Sequence, residues 1–238
     1  FKNSTRLSKR NTGIIYYDCT NYYFEIEQAS DDKQYGACKE NRPLPIIEMG
    51  LFMDSDGIPL AFCINPGNQN EQLSMIPLEE KLLQNFDMSR FVVCTDAGLS
   101  SNDNRKFNNY EDEDGCRSFI TTQSVKKLKK FLKDWALDMK GWFLSGDSSN
   151  KKYSLDELDD RADKEKIFYK SRWIKENGLE QQLIVTYSIK YRDYLKTIRN
   201  GQIERAKKAV EKGTSAIERK RQTDPKRFIK TDHATKDG

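Results

Sequence analysis

Hydrophobic residues alternate or run together in the first half of the chain and recur at helical spacing towards its end. Residues 13–20 (GIIYYDCT) are aromatic and β-branched with one Asp among them, which predicts a buried strand that residues 22–26 extend. Residues 31–42 are polar and predict a loop. Residues 45–54 (PIIEMGLFMD) and 58–65 (IPLAFCIN) predict two strands joined by Ser55, Asp56 and Gly57, because Asp-Gly between apolar runs is a strong hairpin signal. Asp54 and Asp56 lack the further ligands of a calcium loop, so both are assigned to the turn. Pro66, Gly67 and Asn68 form a second turn. Leu73, Ile76, Leu82 and Leu83 lie partly at helical spacing, and a helix is expected to begin near Pro77, which sits poorly in a helix interior. Residues 91–95 (FVVCT) form a continuous apolar strand of the kind buried on both faces of a parallel sheet, and Asp96 ends it. A loop leading to a polar helix is expected over 98–110, and a short strand over 117–122 (RSFITT).

Between 125 and 140, Leu128, Phe131, Leu132, Trp135 and Met139 share one helical face with lysines between them, an amphipathic helix whose aromatic stripe is expected to be core. Residues 146–166 are charged and predict a mobile linker, with a possible capping box at 154–157 (SLDE). Residues 167–174 and 183–188 predict a hairpin across Asn177-Gly178. A long helix is expected over 190–212. Its apolar face is Tyr191, Tyr194, Leu195, Ile198, Ile203, Ala206 and Val210. The order suits one mixed α/β sheet in which two antiparallel neighbours come first and later strands arrive by helical crossovers.

Composition adds limits. Apolar residues are 36% and charged residues 33% of the 238, polar but sufficient for a core. The longest apolar stretch, residues 58–64, is far short of the ~20 residues that span a bilayer. The first twelve residues are polar and basic, unlike a signal peptide. The start at Phe1 and the polar end suggest cuts through a longer protein. Five cysteines without a Cys-x-x-Cys pair argue against a zinc site or a disulfide framework and suit a reducing cytoplasm. The single His233 is read as a solvated tail residue. Net charge is +4, of which residues 185–238 carry +8 and residues 1–184 carry −4. A basic C-terminal segment beside a mildly acidic body suggests a polyanionic partner, or else a solvated helix.

Two acids are placed where chemistry could use them. Asp18 interrupts an apolar strand, and Asp96 lies at the C-terminal end of another, where open α/β sheets build their sites. If these strands are neighbours, both carboxylates emerge on one edge and could share Mg²⁺, which takes oxygen ligands. Two metals about 4 Å apart activate an attacking oxygen and stabilise a leaving one in phosphodiester chemistry. On spacing alone, a strand-end cap or a salt-bridged residue is the favoured reading of either Asp.

The segments IIYYDCTNYYFE, KENRPLPIIEMGLFMDSDGIPLAFCINPGNQNE, FVVCTDAGLSS and IVTYSIKYRDYLKTIRNGQIERAKK together resemble DDE transposases of bacterial insertion sequences, of the group with a β-rich insertion in the catalytic domain. The likeness covers most of residues 13–212 and includes the Lys-Glu-Asn-Arg-Pro loop at 39–43 and the Pro-Gly-Asn turn at 66–68. It implies an α/β fold, a ribonuclease H-like mixed sheet with helices on its faces plus an inserted α+β segment. First and fourth strands would be adjacent. It implies catalytic, metal-holding roles for Asp18, in aromatic-Asp-x-Thr, and for Asp96, in Asp-x-Gly-Leu. The cofactor implied is Mg²⁺ or Mn²⁺. Water would cut at the transposon ends and the freed 3′-OH would attack target DNA. The family's third acid, a Glu in a Tyr-Arg-Glu-Lys-type signature, has no convincing copy. Glu204 lies on a helix that precedes the catalytic one and is expected to pair with Lys208 instead, so the third acid is expected beyond this chain.

The resemblance divides the chain into the first part of a catalytic core (1–124), an inserted segment (125–188), and a basic helix with a polar tail (189–238). Arg192, Lys196, Arg199, Arg205, Lys207 and Lys208 on that helix are expected to contact double-stranded DNA through phosphates. A homo-oligomer on DNA, no membrane, and a bacterial cytoplasmic, nucleoid-associated location complete the expectation. Two alternatives stay open: another ribonuclease H-like nuclease or resolvase without strand transfer, or a DNA-binding relic that folds but does not cleave.

Overall fold

Strand β1 (Ile14–Tyr23) shows why the sheet forms where it does. Its odd positions Ile15, Tyr17 and Cys19 are buried, while Ile14, Tyr16 and Asp18 face outwards, the period of two that a strand imposes. The computed structural model describes residues 3–7, 9–86, 88–212 and 228–229. His233 and the rest of the polar tail lie outside them. The chain splits into two units, Phe1–Lys133 with Asn177–Leu179, and Asp134–Glu176 with Glu180–Gly238.

In the first unit, the short helix α1 (Ser4–Leu7) precedes β1. The hairpin β2 (Ile46–Asp54) and β3 (Pro59–Pro66) follows, then helix α2 (Met75–Phe86), β4 (Arg90–Thr95), α3 (Asn102–Phe107), β5 (Tyr110–Glu111) and β6 (Cys116–Thr121). The sheet order is β3-β2-β1-β4-β6-β5. β1 is antiparallel to β2 and parallel to β4, and β4 is parallel to β6. This is the expected α/β class with a mixed sheet, and the first and fourth strands are neighbours. The two-residue β5 carries too little pattern to be read from sequence.

One face of the sheet makes the core. Ile15, Tyr17, Phe52, Phe91 and Val93 pack with Met75, Leu78 and Leu82 of α2. Tyr17 and Phe52 rings lie 4.5 Å apart, and the Tyr17 hydroxyl is 2.7 Å from Ser74 Oγ. Gly50, opposite Cys19, leaves the room this needs, since any Cβ there would overlap the Tyr17 hydroxyl. The expectation that β1 is wholly buried, and β4 buried on both faces, is corrected. Asp18 is exposed, and Val92 and Cys94 are half-buried, because the described helices cover one face of these strands more fully than the other.

The β2–β3 turn is fixed as expected. Asp54 Oδ1 accepts the N–H groups of Asp56 and Ile58 at 3.1 and 2.8 Å, while Oδ2 accepts from Arg10 Nε at 2.5 Å. Gly57 takes φ +75°, a left-handed conformation that glycine adopts without strain. α2 starts two residues before Pro77, which falls in the first turn, where an N–H has no intrahelical partner.

Glu79 on α2 is fully buried and Oε2 accepts from Asn108 Nδ2 at 2.9 Å, while Oε1 and Asn108 Oδ1 have no hydrogen-bond partner among the described residues. Burial pushes its carboxyl up to about 7, against the Asn108 hydrogen bond and the nearby Arg117 charge. A raised folded pKa means that this group's stability is fully present below the ordinary carboxylate value near 4.5 and is lost as pH rises through about 7. The loss amounts to roughly 3 kcal/mol. Glu79→Gln keeps the acceptor and supplies N–H donors for Asn108 Oδ1. Urea denaturation is expected to show the variant gaining stability relative to wild type between pH 5 and pH 8. A constant difference over that range would contradict a neutral buried acid.

In the second unit, β7 (Phe143–Leu144), β8 (Phe168–Glu176) and β9 (Leu179–Tyr187) form a three-stranded sheet. The turn is the predicted Asn177-Gly178, with φ of 52° and 79°. Trp142, Leu155 and Phe168 make a separate core. The predicted linker at 146–166 therefore contributes to packing: Tyr153 pairs with Trp142 through backbone hydrogen bonds, and Leu155 is buried. The Ser154 side chain makes no cap bond to the backbone. Lys170 is buried with Nζ donating to the Asp138 carbonyl at 2.7 Å and lying 4.6 Å from the Trp142 ring.

The helix predicted over 125–140 is shorter than expected. Val125–Lys127 is a 3-10 turn, and the α-helix α4 spans Lys130–Leu137. Leu132 and Ala136 are buried and Leu128 and Trp135 half-buried, whereas Phe131 is 58% exposed and Met139 is exposed, so only part of the predicted face is core. Helix α5 (Ile189–Glu211) has the predicted extent, capped by Ser188, whose Oγ accepts the Tyr191 N–H. Of its predicted apolar face, Ala206 is buried and Ile203 half-buried, while Tyr191, Tyr194, Leu195, Ile198 and Val210 are exposed. No helix among the described residues is long and apolar enough to cross a membrane.

Candidate metal centre at the rim of the sheet

β1 and β4 run parallel with Ile14 beside Val92, Ile15 beside Val93 and Tyr16 beside Cys94. Carrying that offset of 78 residues past Thr95 puts Asp96 beside Asp18. Residues in one register on neighbouring parallel strands project to the same face, about 5 Å apart between backbones. Asp96 keeps extended backbone, with φ −81° and ψ −178°, before the chain turns into the 3-10 turn Ala97–Leu99. β1 continues to Tyr23 along β2. The two carboxylates thus stand where the parallel pair forks.

Each aspartate is held by one oxygen. Asp96 Oδ1 accepts the N–H groups of Gly98 and Leu99 at 2.9 and 3.2 Å. Thr121 Oγ1 donates to the Asp96 carbonyl at 3.0 Å and accepts from Thr95 Oγ1 at 3.0 Å, tying the end of β4 to β6. Asp18 Oδ1 accepts its neighbour's N–H, from Cys19, at 2.8 Å. Lys39 Nζ, from the loop at 39–43, donates to the Cys19 carbonyl. Neither Asp18 Oδ2 nor Asp96 Oδ2 has a hydrogen-bond donor among the described residues. Thr95, Thr121 and Lys39 were not singled out in the sequence. A threonine in a strand or a lysine in a loop carries no distinguishing signal there.

Both aspartates are exposed, so neither needs a partner to offset burial. Exposure is compatible with a hard cation that keeps much of its water. Each aspartate keeps one oxygen without a donor among the described residues, and a carboxylate oxygen is the ligand type that a hard cation such as Mg²⁺ or Mn²⁺ takes. Among the described residues no group of three or more His, Cys, Asp or Glu is close enough together to hold a metal ion.

The basic residues foreseen on α5 divide. Arg192 is committed to Asp160 and Asp193 at 2.9 and 2.8 Å. Lys207 pairs with Glu204 at 2.8 Å, so Glu204 reaches the residue three ahead of it rather than Lys208. Lys196, Arg199, Arg205 and Lys208 are exposed and make no ion pair among the described residues.

Fold and site together define an α/β protein with a mixed sheet, with Asp18 on one central parallel strand and Asp96 just past the end of the other. No protein-family model matches the sequence, and no curated protein matches it. Among solved structures the chain is similar to the Mos1 transposase paired-end complex with left transposon end, at 15% identity and a TM-score of 0.30, over 50% of this chain and 37% of that one. It is also similar to the piggyBac transposase synaptic complex with hairpin DNA, at 12% identity and a TM-score of 0.33, over 74% of this chain and 33% of that one. The chain spans about a third of the length of each.

Proposed function

We propose that this chain carries the acidic centre of a DDE-type DNA transposase of a bacterial insertion sequence, which cuts and joins double-stranded DNA with Mg²⁺ or Mn²⁺. The observation that carries the reading is the parallel pairing of β1 with β4, whose register, continued past its last pair Tyr16 and Cys94, sets Asp96 level with Asp18, the two positions where the sequence resemblance expects the catalytic pair. Asp18 and Asp96 would hold the cation through their free oxygens. When bound, it supplies a more acidic water and neutralises charge developing on the phosphate.

The chain's own residues do the positioning. The Gly98 and Leu99 amides and the Thr121 hydroxyl orient Asp96, and the Cys19 amide orients Asp18. With both oxygens pre-set, the charge is concentrated before a substrate arrives, which is where electrostatic catalysis gains most. Lys196, Arg199, Arg205 and Lys208 on α5 contact phosphates without reading sequence.

The test incubates a form of the protein extended to supply the third acid that the resemblance expects with transposon-end and target duplexes and Mg²⁺, and resolves nicked from joined strands. Joined products that disappear with chelator are expected. Nicking without joining would replace the transposase reading with that of a nuclease or resolvase of the same metal chemistry.

A further inference from the structure

The strongest basic run in the first unit lies outside α5. Between Gly115 and Lys133 the sequence has no acidic residue, and Lys126, Lys127, Lys129, Lys130 and Lys133 fall within eight positions. The whole of α5 carries seven basic residues against three acidic ones over 23 positions, and three of the seven are tied up by Glu165, Asp160, Asp193 and Glu204. Lys126, Lys127 and Lys130 are exposed and make no ion pair among the described residues.

The charge does not serve the local helix. Lys130 and Lys133 occupy the first turn of α4, which has no acidic residue, and positive charge opposes the helix dipole at that end. Nor does it serve the core, because Phe131 beside it is exposed.

Its position does suit a substrate. β6 leaves the sheet at the rim where β4 ends, with Thr121 bonded to the Asp96 carbonyl. Two residues on, Gln123 Oε1 accepts from Arg105 of α3 at 2.8 Å, which fixes the path of the chain. The lysine segment starts three residues later.

We infer that residues 126–133 form a phosphate-gripping surface for double-stranded DNA, beginning at the rim that carries Asp96. This rests on the reading of the chain as a DNA-processing protein and names a surface that reading did not include. The segment neutralises backbone phosphates and sets where the duplex enters, while the bases go unread.

The test uses the full chain and a fluorescent duplex of random sequence, with affinity measured across a salt series. Each phosphate contact contributes about −0.9 to the slope of log affinity against log salt. The triple variant K126Q/K127Q/K130Q is expected to bind at least about tenfold more weakly at low salt, with a slope shallower by roughly 2–3. K126R/K127R/K130R keeps the charge and is expected to keep the slope. Wild-type binding with an unchanged slope in the glutamine variant would overturn this inference and leave the functional proposal standing. Failure of the wild type to bind the duplex at low salt would overturn both. Loss of binding to anionic lipid vesicles with unchanged DNA binding would assign the lysines to a membrane surface and also overturn it.

Discussion

Asp18→Asn and Asp96→Asn are each expected to lower Mg²⁺-dependent DNA nicking by more than about a hundredfold, because changes in the shell behind metal ligands already cost 10–100-fold in affinity or activity. Asparagine preserves the local structure in both places. Its Oδ1 can still accept the Cys19 N–H at 18, or those of Gly98 and Leu99 at 96, and Asn caps turns as well as Asp. What is lost is the charge and the second anionic oxygen. Both positions are exposed, so stability is expected to stay within about 0.5 kcal/mol of wild type in urea denaturation. Loss of activity together with loss of fold would count against a catalytic role. Retained activity in either variant would remove that residue from the mechanism.

Arg10→Met is expected to have the largest effect on stability, a loss of about 3 kcal/mol at pH 7. The Arg10 side chain is 3% exposed and that of Asp54 is fully buried, so removing the guanidinium strands a carboxylate away from water. Arg10 also donates to the carbonyls of Ile58 and Pro59 at 3.0 and 3.1 Å, binding the N-terminal segment to the β2–β3 turn. Burial alone would push the Asp54 carboxyl up. The Ile58 amide and Arg10 outweigh it and hold the group below the ordinary carboxylate range. A depressed folded pKa contributes stability above the unfolded value and loses it as pH falls through the folded one. The difference between wild type and Arg10→Met is therefore expected to shrink on acidification below about pH 4. Arg10→Met/Asp54→Asn, which removes the stranded charge, is expected to recover part of the loss. A deficit that does not change with pH, or a double variant no better than the single one, would contradict an ionic origin.

The strands of the first unit were legible because each carries a period of two or an unbroken apolar run, and because Ser55-Asp56-Gly57 and Asn177-Gly178 have turn chemistry that few other structures need. The pair Asp18 and Asp96 was legible as two suspicious positions, and it was the resemblance, not the residue pattern, that set their strands side by side. Register between strands 78 residues apart is set by long-range packing of Ile15, Tyr17, Phe91 and Val93 against α2. The sequence misled where helical spacing was taken to mean burial. Phe131, Tyr191, Tyr194 and Ile198 have the right period, yet period says only that residues share a face, and these four are exposed. Burial of Asp18 was misjudged for a related reason. Its apolar neighbours Tyr17 and Cys19 point one way and it points the other, and the aromatic Tyr16 on its own face hid the alternation.

Manganese binding tests the acidic pair most directly. Mn²⁺ affinity measured by electron paramagnetic resonance on wild type, Asp18→Asn, Asp96→Asn and the double variant forms a closed cycle. If one ion is gripped by both carboxylates, each single change weakens binding sharply and the double change weakens it little further. Affinities that match wild type in either single variant, or losses that simply add, would mean that the two side chains do not share a cation.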